Sequence, residues 1–185
     1  LGATAFYGNF RGARLQRANL GSATLVNSDF AQADLTEASL IRTNLQGSFL
    51  FGANLSHANL YLATLTNAQL PYAKLQNANL LAVNAGNAEL VRANLTHTDL
   101  RFANLADADL ADANLTGADL TGADLTGADL SNANLTDTNL YGANLTDVNL
   151  TDATLNRSNL HLATTTGAYM EDAGPRRSKL SLSTL

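Results

Sequence analysis

Three histidines and a run of aspartates are the side chains that first invite a chemical reading of this 185-residue chain. His57 and His97 are forty residues apart and His161 stands alone, so no imidazole pair has the close spacing of a shared tetrahedral metal site. From Phe102 to Asn156 there are nine Asp and no Lys or Arg: Asp107, Asp109, Asp112, Asp119, Asp124, Asp129, Asp137, Asp147 and Asp152. Paired carboxylates do acid–base work in pockets that shift their pKa values, and an open convex surface supplies no such pocket. Their spacing also departs from the Gly-and-Asp repeat of calcium-binding β-rolls. Nothing outside the repeat described next resembles a Ser-His-Asp arrangement or a Gly-rich phosphate loop. The chain contains no cysteine, which removes thiolate metal sites and disulfides from consideration. The expectation is a protein that is not an enzyme, with no catalytic, cofactor or metal residues and no cofactor.

What positions these residues is a five-residue phrase, clearest over Ala113–Leu130 and carried in one phase from Phe10 to Leu185. Leu occupies 30 of the 37 positions that are multiples of five, and Ala occupies 26 of the 37 positions two residues earlier. A period of five fits neither the 3.6 of a helix nor the strict 2 of a flat strand. Within each pentad, however, the small residue and the Leu are two apart, which in extended backbone places both on one face. The three residues between such pairs are mostly Thr, Ser, Gly, Asn and Asp, which make turns and bond nearby backbone. Each pentad therefore reads as a short extended side followed by a corner, with Leu and Ala inside.

The phrase A-[DN]-L-x-x, as in Ala18-Asn19-Leu20, Ala103-Asn104-Leu105 and Ala143-Asn144-Leu145, resembles the motif of pentapeptide-repeat proteins along essentially the whole chain. The resemblance implies an all-β fold, a right-handed quadrilateral parallel β-helix with four pentads to a coil, and no enzymatic residues shared by the family. Residues 1–185 then form a single solenoid domain of about nine coils, in which 1–10 and 166–185 are degenerate terminal coils. Phe10 and Phe30, twenty apart, and the misfits Ala5, Ala85 and Thr165 at multiples of twenty agree with a four-pentad coil. Val83 is expected to fill part of the space that Ala85 leaves. Gly174-Pro175 breaks a coil, after which Ser178-Lys179-Leu180 and Ser183-Thr184-Leu185 resume the phase.

The outward positions carry two unusual surfaces. On the side of Leu20, Leu40, Leu60 and Leu80, a candidate protein-interaction strip is formed by Ile41, Tyr61, Leu62, Leu81, Phe102 and Tyr141, with Leu162 beyond. Phe49, Phe51, Pro71, Tyr72 and Val91 form a second patch on another side. Outward aromatics that merely cover the sheet are the alternative reading of both; a large contiguous apolar strip is unusual on a monomer. The candidate acidic face is Asp99, Asp109, Asp112, Asp119, Asp129 and Asp152. Asp99 and Asp119, like Asp109 and Asp129, are expected to stack one coil apart. Some relatives in the family are rod-shaped mimics of DNA that protect DNA gyrase, and this acidic run looks like their surface. It departs from them in its non-acidic first half and the basic end at Arg176, Arg177 and Lys179.

A net charge of -5 and a pI near 4.9 argue against direct binding of nucleic acid or an anionic membrane. No stretch approaches eighteen consecutive apolar residues, so no membrane span is expected. The cytoplasm is the favoured compartment, and a lumenal or periplasmic one fits if an N-terminal signal has been removed. The favoured function is a non-enzymatic scaffold with a protein partner; the alternative is a DNA mimic that binds a nucleic-acid enzyme such as DNA gyrase. End-to-end or side-by-side assembly with another copy is compatible with both.

Overall fold

The computed structural model describes residues 2–174, so Pro175 of the expected Gly174-Pro175 break and the pentads after it lie outside the described residues. The chain winds into a four-walled parallel solenoid in which every residue before a large inward residue pairs with the residue twenty positions on. The pairing runs from Thr4 with Thr24 to Thr154 with Gly174. One coil is thus four pentads. Wall A carries the paired positions Thr4, Thr24 and on to Thr164; wall B carries Asn9 to Tyr169, wall C Arg14 to Gly174, and wall D Asn19 to Asn159. Walls A and C face each other across the core, as do B and D.

The pentad closes because nearly every backbone amide in it has a defined partner. In the pentad of Leu115, the Leu115 amide donates to the Asn134 carbonyl of the next coil and the Asn114 amide to Ala93 of the previous one. The Gly117 amide reaches Thr136, and the Ala118 amide returns to Leu115 across the corner. That leaves the amide just after the leucine, at Thr116, which donates to the Asn114 side-chain Oδ1 at 3.1 Å. A short side-chain acceptor before the leucine therefore completes the backbone, which is why Asn and Asp recur there. Thr116 Oγ1 adds a second bond to the same oxygen at 2.7 Å.

Every corner from Tyr7 to Asp172 places its second residue in the left-handed region, with φ between 53° and 70°. Gly, Asn and Asp tolerate that conformation, whereas other L-residues in it carry a steric cost of roughly 1–2 kcal/mol.

Inside, Leu and Ala alternate in a continuous core from Ala23 to Ala163, nearly all of it excluded from solvent. Removal of each Leu from water contributes about 1.5–3 kcal/mol. Phe10 stacks on Phe30 with ring centres 4.6 Å apart, as their twenty-residue separation predicts. Ala85 is fully buried beside Val83, so the one central pentad without a large residue is packed inward like its neighbours. Thr43, Thr98 and Thr138 take the small inward position and donate their hydroxyls to the carbonyls of Leu20, Leu75 and Leu115 at 2.8–2.9 Å. These buried polar atoms are therefore satisfied. The first coil pairs regularly, yet Ala5, Phe10, Leu15 and Leu20 are only half-buried, and Phe6 and Tyr7 are exposed.

Candidate functional site

With the interior filled by aliphatic side chains, any site lies on the walls and corners. The expected protein-interaction strip falls on one edge, the corner between walls D and A. Ile41, Tyr61, Leu81 and Tyr141 take the first position of that corner, and Leu62 and Phe102 take the strained second one. From Ile41 to Phe102 every coil contributes at least one large apolar residue. Tyr141 stands apart: Thr121 and Gly122 intervene, and its ring pairs instead with His161, centroids 5.5 Å apart.

Phe102 is the most exposed of the strip, with 64% of its surface open to solvent, while Leu62 is at 36%. The Phe102 ring lies over Gly122, where a Cβ would come within 2.8 Å of it. Gly122, itself at φ +65°, therefore serves both the corner and the ring above it. Leu62, Phe102 and Leu162 place large apolar side chains at the second corner position, which is left-handed throughout and exposed along most of the rod.

The second patch is built differently. On the corner between walls B and C, Phe51 meets Tyr72 edge-on at 5.6 Å. The Tyr72 hydroxyl accepts a bond from Arg92 at 2.8 Å, and Arg92 bonds Asp112 at 3.1 Å. These aromatics are tied into a ladder that crosses four coils, which accords with rings covering the sheet. Phe49 lies on the adjoining wall B, still exposed.

The expected acidic face does not exist as one surface. Asp109 and Asp129 lie on wall B, with Asp112 and Asp152 on the adjoining corner, but Asp99 and Asp119 lie on wall D, across the core. Ten residues is half a coil, so carboxylates adjacent in the sequence run point in opposite directions. Asp99 and Asp119 are also not left to repel each other. Arg101 binds both Asp99 oxygens at 2.8 and 2.7 Å and approaches Asp119 at 4.0 Å. The Arg101 hydrogen bonds hold the Asp99 carboxyl below its usual range. Arg157 likewise bridges to Asp137 of the coil above, and its hydrogen bond lowers the Asp137 pKa.

What remains is a narrower acidic wall. Glu89, Asp109 and Asp129 form a column on wall B in three consecutive coils, flanked by Asp107 and Asp147 on one corner and Asp112 and Asp152 on the other. The stacked carboxylates on walls D and A, and the last one of the wall B column, are followed by Asn. Asn139 donates to Asp119 at 3.2 Å, Asn144 to Asp124 at 3.2 Å and Asn149 to Asp129 at 3.0 Å.

His57 and His97 share the corner between walls C and D, two coils apart, and the His97 ring covers Gly117. Among the described residues no group of three or more His, Asp or Glu side chains could hold a metal ion. No helix among them is long and apolar enough to cross a membrane.

A four-walled solenoid built from five-residue units is a right-handed quadrilateral β-helix. The chain belongs to the pentapeptide repeat family, whose model matches in eight copies over residues 13–50, 50–80, 88–127 and 123–161. Among solved structures it is similar to HetL, a pentapeptide repeat protein involved in heterocyst differentiation regulation in the cyanobacterium Nostoc sp. strain PCC 7120. The two are 30% identical over 93% of this chain and 86% of that one, with a TM-score of 0.47. QnrB1, a plasmid-mediated fluoroquinolone resistance protein, is 16% identical over 97% of this chain and 90% of its own, with a TM-score of 0.61. A pentapeptide repeat protein of the Arabidopsis thaliana thylakoid lumen is 26% identical over 75% of this chain and 68% of its own, at a TM-score of 0.16. Comparison with curated proteins returns no match.

Proposed function

We propose that the chain is a non-enzymatic scaffold whose corner between walls D and A docks a protein partner. The observation that carries this reading is Phe102: a large apolar residue, 64% exposed, held in a backbone conformation that disfavours it. Its neighbours Ile41, Tyr61, Leu62 and Leu81 extend the same edge over consecutive coils, and no ring pairs with another within that segment among the contacts described. Leu62 and Phe102 are exposed and Ile41, Tyr61 and Leu81 are half-buried beside them, and contiguous apolar surface of this kind marks interaction sites. The test is affinity capture of partners by the wild type and by Tyr61→Ser/Phe102→Asn, with circular dichroism to confirm that both are folded. Loss of a specific partner from the double variant supports the reading; the same partners in the same amounts refute it.

The column Glu89, Asp109 and Asp129 favours a second reading, a DNA mimic that engages a nucleic-acid enzyme such as DNA gyrase through wall B. Asp107 and Asp147 extend the negative surface onto the corner between walls A and B, whereas on the corner between walls B and C Arg92 pairs with Asp112. In a supercoiling assay this reading requires the wild type to alter gyrase activity and Asp109→Asn/Asp129→Asn to lose that effect. If both proteins behave alike, wall B is not the binding surface.

A further inference from the structure

We draw no further inference here: the strongest candidate, the apolar edge from Ile41 to Phe102 on the corner between walls D and A, belongs to the docking surface already described, and nothing in the structure shows what covers it.

Discussion

Replacement of Phe102 by Asn sets the fold and the proposed function against each other. Phe102 stands at φ 57°, where an L-residue without local hydrogen-bonding capacity costs roughly 1–2 kcal/mol, and Asn is among the residues that tolerate this region. Against that gain stands the packing of the ring on Gly122. The ring is 64% exposed, so about a third of the 1.5–3 kcal/mol for full burial, roughly 0.5–1 kcal/mol, is lost. The net expectation is a variant between unchanged and about 1.5 kcal/mol more stable, a rise in melting temperature of up to ~5 °C for a chain of this size. Guanidinium titration followed by circular dichroism, with the slope compared to confirm the same unfolding unit, measures it. Destabilisation by more than about 1 kcal/mol would show that Phe102 is kept for the fold, and the case for the corner as a binding surface would lose its main support.

Further outcomes follow from the same architecture. Leu115→Ala, at a fully buried position in mid-core, destabilises by about 3–5 kcal/mol in the same titration. Asn114→Ala strips the Thr116 amide of its acceptor and costs about 1–3 kcal/mol, whereas Asn114→Asp keeps the Oδ1 and stays near wild type. Arg101→Gln leaves Asp99 facing Asp119 and lowers stability by up to about 1 kcal/mol at low salt, a loss that added salt or a second change, Asp119→Asn, diminishes. Acid titration of stability has a defined sign. The Thr36 hydroxyl and amide lower the Asp34 pKa, and the Arg101 hydrogen bonds lower that of Asp99. The unfolded chain therefore takes up these protons first, and stability is full above about pH 4 and declines as pH falls through the folded-state values. A midpoint that rises on acidification below pH 4 contradicts these assignments.

The interior was legible from sequence because it depends only on period: every fifth Leu and the Ala before it point inward wherever they fall. The stack of Phe10 on Phe30 and the inward packing of Val83 beside Ala85 follow from the same count. Side-chain partnerships across coils were not legible, because Arg92, Arg101 and Arg157 flank the acidic run yet contact Asp112, Asp99 and Asp137. Two of those partners are twenty residues away. For the same reason Asp99 and Asp109, neighbours in the chain, were grouped on a face that the half-coil between them divides. The left-handed corner is also disguised. Gly117, Gly122 and Asn132 announce it, but Leu62 and Phe102 occupy the same position with the residue types least suited to it.

Site-specific photo-crosslinking tests the central claim, that work is done on the corner between walls D and A, most directly. A benzophenone amino acid is placed in turn at Leu62, at Phe102, at Tyr72 on the opposite corner and at Asp109 on wall B, and each protein is irradiated in its native cells. Adducts of one size from positions 62 and 102, absent from 72 and 109, are the predicted result. Adducts confined to 109, or equal at all four positions, contradict it.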